Sequence, residues 1–441
     1  MFSRLLPVLV FSLAINPLLA QESTSPDAEP SNRVLLERIQ QLEKRLSELE
    51  EREHKQAAAM AASSASAVAS NFEPAQASAT CPATQGGTAA STTMQVMHDE
   101  HGGSPTVVRE AEIHYPSLQI RGFGDVDFSG TDQKGSVSGF SLGQFDLHFA
   151  SALSKKVSYF AEVTFTAQPN TYDLAVERSI IKYDYNDYFK MSFGKYHTPV
   201  SYWNTAFHHG AWLQTSIARP EMVRIGGTFI PIHFVGLQTE GNIPSGGLGL
   251  GYDLGLGNGR SSNFAKAGDS GDINDNRAFV ANVFARPARL YGLQVGGSYY
   301  RDKLTPKAGI NFDEWIASAH VVWTKEHPEV LAEYANVHHQ DLQTLQTFNT
   351  TGYYVQLAYR FPWQENKWKP YYRFEYIHRP TFEPVWDFGG ANSVVDLVGS
   401  LVGVRYDITS YAAFKGEYRR SRHAIGEPIV NGAFFQTAFT F

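Results

Sequence analysis

From residue 118 onward, apolar and polar side chains alternate with a period of two in one segment after another. In the run from Tyr353 to Phe361, for example, aromatic and aliphatic residues occupy one face, and Gln356 and Arg360 lie on the other. This period is that of a β-strand with one apolar face. After residue 20 there is no run of 18 apolar residues, so no helix is long and apolar enough to span a bilayer. The pattern predicts an all-β chain.

Three details favour an antiparallel barrel in lipid over a soluble β-sandwich. The segments are about ten residues long, their apolar face is rich in aromatic residues at the segment ends, and the opposite face carries charged residues beside Gly and Ser. The last segment ends with alternating aromatics, Phe435, Phe439 and Phe441, which resembles the assembly signal of bacterial outer-membrane proteins. Because lipid offers no hydrogen bonds, a sheet can cross it only as a closed barrel.

We predict about sixteen strands. An even number suits a bacterial barrel and places both chain ends on one side. A barrel of this size is wide enough to hold an aqueous channel. The predicted strands are 118–128, 138–151, 155–167, 174–186, 188–196, 223–241, 246–257, 276–287, 291–302, 311–325, 328–340, 349–361, 368–379, 393–407, 409–421 and 432–441.

Residues 1–20 have the order of a secretory signal peptide. Arg4 precedes an apolar stretch, and Ala20 precedes a polar run beginning at Gln21. The alternative is an N-terminal membrane helix, but the apolar stretch is shorter than the roughly 20 residues that spanning requires.

Residues 21–54 contain a heptad pattern. Leu35, Ile39, Leu42, Leu46 and Leu49 follow the a and d spacing of a coiled coil. The pattern covers little more than two heptads, so we expect it to form when other parts of the protein already hold the chains together. An ordinary amphipathic helix is the alternative interpretation.

Residues 55–117 are rich in Ala, Ser and Thr and are predicted to be a flexible linker before a barrel domain at 118–441. Between residues 21 and 117 the only aromatic residues are Phe72 and Tyr115. Cys81, the single cysteine of the chain, lies in this linker, as a free thiol or in an intermolecular disulfide.

The connection from residue 197 to residue 222 is long and aromatic. A loop of this kind would be unfavourable in water, so we expect it to pack against the inner barrel wall and narrow the pore. Its candidate constriction residues are His197, Tyr202, Trp203, His208, His209, Trp212 and Arg219.

Two short motifs and the heptads carry a family resemblance. Phe193–Pro199 resembles the strand-to-loop segment of phosphate-selective porins of the O and P type, and Tyr252–Arg260 resembles a strand of that family that ends in Asn-Gly. The heptad segment before a barrel is similar to that of DcaP-type trimeric channels. The resemblance implies a 16-stranded trimeric channel with its third loop folded inward. Phosphate selectivity is not carried over, because Arg219 and three histidines are the only basic residues that this loop offers.

The period of two also predicts which charges point into the pore, where charge and size select solutes. Opposite charges could form ladders that orient a dipolar or anionic solute, or could pair and stiffen the wall. Adjacent residues such as His208 and His209 point apart in an extended segment, so we predict a pH-sensitive positive constriction there and no metal site. The predicted pore-lining charges are Arg121, Lys182, Arg360, Arg373, Arg405, Lys415, Arg419, Asp125, Asp127, Asp146, Glu162, Glu333, Glu375 and Glu417.

Together these features predict an outer-membrane homotrimeric porin with a periplasmic N-terminal segment and no cofactor. Its function would be passive diffusion of small polar or anionic solutes, with phosphate or carboxylates in that class. The modest net charge of −7 argues against binding of nucleic acid. The alternatives are a barrel enzyme that uses His148 or His320, for which we find no nucleophile motif, and a structural tether to the cell wall.

Overall fold

A computed structural model describes residues 115–207, 209–266, 268–388, 393–423 and 427–441, together with Lys44. The predicted signal peptide, the coiled coil apart from Lys44 and the linker before residue 115 lie outside the described residues. Sixteen antiparallel strands form one closed barrel, in which each strand pairs with its sequence neighbours. The strands are β1 (Ser117–Thr131), β2 (Gly139–Ala152), β3 (Val157–Gln168), β4 (Thr171–Asn186), β5 (Phe189–His197), β6 (His233–Ile243), β7 (Leu250–Asn258), β8 (Ala278–Ala285), β9 (Leu293–Lys307), β10 (Ile310–Thr324), β11 (Glu329–Asp341), β12 (Thr347–Ala358), β13 (Trp368–His378), β14 (Leu397–Thr409), β15 (Ala412–Arg422) and β16 (Val430–Thr440).

The barrel closes where β1 meets β16. Phe123 pairs with Thr440, and the backbone of Gly122 exchanges two hydrogen bonds with Phe441, at 2.9 and 3.0 Å. The ring of Phe441 lies over Gly122 so closely that a Cβ there would be 2.2 Å from it. Closure leaves no unpaired sheet edge, which is the condition for a sheet in lipid. The predicted sixteen-strand closed barrel is confirmed.

Three predicted strand starts are wrong by four residues or more. β6 begins at His233, not at 223, β7 begins at Leu250, not at 246, and β14 begins at Leu397, not at 393. The segment 223–232 is apolar enough to resemble a strand, but Val223, Phe229 and Ile230 are buried inside the barrel, where they pack against its wall. The connection between β5 and β6 therefore covers residues 198–232. We call it the crossing loop.

The outer face of the barrel is apolar. Aliphatic side chains such as Leu256, Leu357 and Val402 are exposed along the strands. Near one end, exposed aromatic side chains form a belt, and this end carries the connections from each even-numbered strand to the next strand. We call it the turn end, and its opposite the loop end. The aromatic residues of the belt are Tyr183, Tyr185, Tyr188, Phe189, Tyr291, Tyr359, Trp363, Trp368, Tyr411 and Phe441.

The helices are short. Within the residues that the structure describes, none of them has the length and apolar character needed to cross a bilayer.

The sequence pattern suggests a uniformly polar inner face, but the inner face of the barrel is partly apolar. From β8 to β12 it carries buried apolar side chains, and apolar residues of the crossing loop cover them in one continuous core. The loop contributes Val200, Trp203, Val223, Phe229 and Ile230 to this core. The wall contributes Val280, Tyr300, Leu304, Phe312, Ile316, Leu331, Val337 and Tyr354, which we call the apolar inner wall.

Gly194 provides a test of the strand geometry that leads into the crossing loop. Its φ is +150°, and an added Cβ would lie 1.9 Å from the carbonyl oxygen of Ser179 on β4. We expect Gly194→Ala to destabilise the barrel by at least about 1 kcal/mol, since alanine cannot adopt this conformation without strain. The measurement is the unfolding midpoint in denaturant. Gly139→Ala is the matched control, because nothing lies within 4 Å of its added Cβ; equal losses of stability would contradict the prediction.

Candidate functional site

The crossing loop passes through the barrel interior from one wall to the other. Near its start, the carbonyls of Pro199 and Val200 accept hydrogen bonds from Ser298 on β9 (2.7 Å) and Ser318 on β10 (2.5 Å). Farther along, a 3-10 turn at Ala211–Leu213 lies against β1 and β16. The loop therefore crosses the lumen between opposite sides of the barrel.

The two ends of the loop are tied to each other. The backbone N–H of Thr198 donates to the carbonyl of Ile232 at 2.9 Å. The amide of Asn204, which is fully buried, donates to the carbonyls of Thr198 and Ile232, at 3.0 and 2.8 Å. This closure fixes the base of the loop at the junction with β5 and β6.

A helix near the start of the loop, α1 (Tyr202–Ala206), is held by a carboxylate from the wall. Ser201 caps α1 by accepting from the N–H of Asn204. Glu333 on β11 accepts from the N–H groups of Tyr202 (2.7 Å) and Trp203 (2.9 Å) and from the hydroxyl of Ser201 (3.1 Å). A helix N-terminus has unpaired N–H groups and attracts negative charge. The buried Glu333 supplies both the acceptors and the charge.

Other wall carboxylates accept from N–H groups of the middle of the loop. Gly210 donates to Asp146 on β2 at 3.1 Å, and Ile217 donates to Glu417 on β15 at 3.0 Å. The N–H of Glu221 donates to Glu375 on β13 at 2.6 Å. These N–H groups belong to irregular backbone inside the barrel, where an unpaired polar group is costly.

Wall cations bind the loop carbonyls in the same way. Wall carboxylates therefore bind the loop N–H groups, and wall cations bind the loop carbonyls. The path of the loop backbone depends on these contacts with the wall. Arg373 donates to the carbonyls of Ala218 (2.8 Å) and Arg219 (3.0 Å), Arg405 to those of Trp212 (2.6 Å) and Gln214 (3.0 Å), and Lys415 to those of Ala211 (2.6 Å) and Ser216 (3.3 Å).

The remaining charges that the sequence analysis places in the pore have other surroundings. Arg121 is exposed. Each of the others has a described partner: Lys182 pairs with Glu240 at 2.9 Å, Asp125 accepts from the N–H of Gln144, Asp127 accepts from the amide of Gln436, and Arg419 pairs with Glu417. Arg360 follows β12 and is not in a strand.

The predicted constriction residues lie at the end of β5 and at several points of the crossing loop. Trp203 is fully buried, with its ring edge-on to Phe207 and Tyr354. Tyr202 packs on His320 of β10, whereas Trp212 lies under the guanidinium of Arg405. The Nε of Arg219 donates to the carbonyl of Val223. His208 lies outside the described residues.

His197 and His209 lie together in a cluster of acids and histidines, which we call the histidine pocket. It is lined by β2 to β6 and by the crossing loop. Within it, the nitrogen–oxygen distances include 2.8 Å for His148–Glu162, 3.5 Å for His197–Glu162, 3.6 Å for His209–Asp146 and 3.0 Å for His233–Glu177. Its members are Asp146, His148, Glu162, Glu177, His197, His209 and His233.

His209 is the member of the pocket that comes from the loop. Its Nδ1 lies 3.1 Å from the side-chain oxygen of Gln144. Burial by itself lowers the pKa of His209, but the carboxylates of Glu162, Glu177 and Asp146 outweigh it, and the pKa is raised above its ordinary value. The pocket therefore favours a cation at this point of the loop.

Sequence reasoning missed Glu177 and His233 in this pocket. A bulge in the pairing of β3 with β4 places Glu162 opposite Arg178 and Val163 opposite Val176, so Glu177 has no opposite residue. The bulge breaks the period of two and lets both Glu177 and Arg178 reach the interior. His233 was hidden because the start of β6 was predicted ten residues too early.

A cavity of about 720 Å³ lies at the turn end between the crossing loop and the wall. Trp212, Leu213 and Thr215 of the loop form one side of it. Four acidic and four basic residues line the rest, so its formal charge is zero. These residues are Glu326, Glu329, Glu365, Asp407, Arg360, Lys367, Lys369 and Arg405.

Six of the eight charges of the cavity form one network of ion pairs, and Lys367 pairs separately with Glu365 at 2.7 Å. Lys369 pairs with Glu326 at 2.9 Å and with Glu329 at 2.7 Å. Arg360 pairs with Glu326 at 2.5 Å and with Asp407, which also pairs with Arg405 at 2.7 Å. Such pairing stiffens the wall and leaves the cavity without a strong field of either sign.

No family model matches the chain, and no curated protein matches its sequence. Several solved structures are similar to the barrel over 74% of this chain. An anion-selective porin from Comamonas acidovorans has 10% identity, a TM-score of 0.55 and all of its own chain covered. The outer membrane channel DcaP of Acinetobacter baumannii has 12% identity and a TM-score of 0.52, and OmpF of Salmonella typhi in complex with daunomycin has 13% and 0.51, each with 97% of its chain covered. This chain has the fold of these porins.

Glu333 provides a test of how the wall holds the loop. We expect Glu333→Ala to release α1, because three buried donors of the loop and the hydroxyl of Tyr354 lose their acceptor, at a cost of about 3 kcal/mol in local stability. Hydrogen exchange followed by mass spectrometry should then show amides at 202–207 exchanging about 100-fold faster, since each 1.4 kcal/mol is a factor of ten. Glu365→Ala, at an exposed turn position, is the control. Unchanged exchange in Glu333→Ala would show that the loop holds its shape without this carboxylate.

Proposed function

We propose that this protein is an outer-membrane porin, a passive diffusion channel for small polar solutes, with small anions such as phosphate and carboxylates in that class. The observation that carries the proposal is a closed sixteen-strand barrel whose long fifth connection is folded inside and bound to the wall at both ends and in the middle. A loop held in this way narrows a pore that is otherwise wide enough for water and solutes.

An outer-membrane location is supported by the surface of the barrel. Exposed aliphatic side chains suit the hydrocarbon layer, and the aromatic belt at the turn end suits the boundary between lipid and water. The porin fold and the predicted signal peptide agree with this location. The turn end would face the periplasm, since Ser117 at the start of β1 lies there and continues from the predicted periplasmic segment.

The crossing loop would act as a fixed constriction. Its backbone is bound by carboxylates and cations from several strands, and charge-assisted hydrogen bonds are about twice as strong as neutral ones. A solute that passes the loop would also pass the turn-end cavity, where paired charges of both signs line the path. We therefore propose weak charge preference and selection mainly by size.

Phosphate specificity, which the family resemblance raises, is not part of the proposal. The wall cations Arg373, Arg405 and Lys415 donate to loop carbonyls, and Arg405 and Arg373 also pair with Asp407 and Glu375. Cations bound in this way contribute less to anion recognition than exposed ones.

A homotrimer is a further part of the proposal, supported by the heptads at 35–49 and by the resemblance to trimeric channels. Native mass spectrometry of the full chain and of a chain without residues 21–117 would test it. We expect trimers of the full chain, weaker trimers of the shortened chain, and conductance in both.

Catalysis finds less support than transport. Of the two histidines considered for a barrel enzyme, His148 bonds to Glu162 and His320 lies 2.9 Å from the amide nitrogen of Gln294. Both contacts suit histidines that organise the wall.

Single-channel recording in planar bilayers tests the proposal directly. We expect discrete conductance steps from the purified protein. Arg373→Met should raise the conductance and make it less steady, because two loop carbonyls lose their donor. Arg379→Met, in the connection after β13, is the control and should conduct like the wild type. A bilayer that stays closed with correctly folded protein would contradict the proposal.

Two matched substitutions in one ion pair test the weak charge preference. Lys369 and Glu326 lie 2.9 Å apart in the turn-end cavity. Lys369→Gln should shift the reversal potential in a salt gradient toward cation preference, and Glu326→Gln should shift it toward anion preference, since each leaves one unbalanced charge. Shifts in the same direction, or none, would show that the cavity is not on the path of the ions.

A further inference from the structure

The histidine pocket brings together the ligand types of a transition-metal site. Glu162 on β3, His197 at the end of β5 and His209 in the crossing loop each offer one ligand atom, and these atoms lie within 4.8 Å of one another. All three side chains are buried. We propose that this trio binds a divalent transition-metal ion of the zinc type, and that the bound ion fastens the crossing loop to the wall.

The donor set fits zinc. Two imidazole nitrogens and one carboxylate oxygen form a known zinc ligand set that leaves a fourth position for water. Ligand atoms about 2.0–2.2 Å from the ion would be about 3.3 Å apart in a tetrahedral site, so the widest spacing in the trio must close by up to roughly 1.5 Å. His197 and Glu162 are already 3.5 Å apart, and His209 is carried by a loop rather than by a strand.

Neighbouring groups orient the ligands as metal sites require. The amide nitrogen of Gln144 donates to Thr166 at 3.3 Å, which turns its oxygen toward Nδ1 of His209. A neutral His209 would then carry its proton on Nδ1, which leaves Nε2, 3.6 Å from Glu177, as the ligand atom; a metal ion must displace any proton from this nitrogen. A hydrogen bond to the second ring nitrogen is the usual support of a metal-binding histidine.

A second support holds Glu162. His148 lies 2.8 Å from its Oε1, which leaves Oε2 on the side of His197. Arg178 donates to the same Oε2 at 2.6 Å and is the group with which a metal ion must compete.

The charge of the pocket favours a cation. Three carboxylates, those of Asp146, Glu162 and Glu177, act on the guanidinium of Arg219, and Arg178 is the second guanidinium beside them. The carboxylates outnumber the guanidinium groups, and imidazole ligands favour zinc, copper or nickel over the hard cations Mg²⁺ and Ca²⁺.

Zinc binding to tag-free protein in detergent tests the proposal. Titration calorimetry with Zn²⁺ should show one site per chain, with Mg²⁺ and Ca²⁺ in excess leaving it unchanged. His209→Ala and Glu162→Gln should each weaken zinc binding at least about 100-fold, because loss of a supporting residue alone costs about 10- to 100-fold. His338→Ala is the matched control, since His338 stacks on Trp315 away from the pocket.

A spectroscopic measurement keeps the test independent of variants that fold poorly. X-ray absorption at the zinc edge of the loaded wild-type protein should show two histidine nitrogens and oxygen ligands near 2 Å, on the order of the usual zinc distances. Absence of zinc binding, equal affinity in His209→Ala, or a spectrum without histidine would each overturn the proposal.

The effect of zinc on transport rests on the proposed function, whereas zinc binding does not. In planar bilayers we expect Zn²⁺ to make the wild-type conductance lower or steadier and to leave His209→Ala unchanged. If the protein binds zinc but does not conduct, the proposed porin function is wrong and the metal site stands. If it conducts but does not bind zinc, the porin function stands and the metal site is wrong.

Discussion

The interior of this barrel depends on hydrogen bonds between charged wall residues and the backbone of the crossing loop. Most of the described residues between 198 and 232 form irregular chain, in which neither a long helix nor the sheet pairs the N–H and C=O groups. Charged side chains of the wall supply those partners, from strands whose own backbones are already paired. They include Glu333, Glu417, Arg373 and Arg405. Charged residues that face the interior therefore bind the loop backbone, whatever they contribute to contacts with solutes.

This use divides the wall into two kinds of surface. The apolar inner wall receives Trp203, Val223 and Ile230, so the loop buries apolar surface on that side as a domain core would. On the other sides the loop is bound mainly through polar contacts, such as Gly210 with Asp146 and Ala211 with Lys415. Apolar contact gives the loop much of its burial energy, and the directional contacts fix where its backbone runs.

The sequence was sufficient to predict the sheet but not the filling of the barrel. A period of two is dictated by the backbone of a strand, so the alternation at 353–361 predicts both a strand and its two faces. It does not reveal what covers the inner face. The sequence predicts a strand from residue 223 because a buried loop and a buried strand have the same apolar composition.

The site was predicted in part for the same reason. His197, His209 and Glu162 were each named, but as a constriction and a pore-lining charge rather than as neighbours. Their meeting depends on the path of a loop that ends far from where it begins in sequence, and on the bulge that turns Glu177 inward. Neither the path of the loop nor the bulge gives a periodic pattern in the sequence. The motif at Phe193–Pro199 lies where the chain passes from β5 into the loop.

Under the proposed function, anchoring of the loop and selection of solutes would draw on the same charges, which limits what the barrel could recognise. An arginine that donates to two loop carbonyls and one carboxylate, as Arg373 does, has little hydrogen-bonding capacity left for a passing anion. The loop can be held firmly only by charges that are thereby neutralised or occupied. As a channel, a wall built in this way would favour a rigid opening with modest charge preference, and strong selectivity would require charges beyond those that the loop uses.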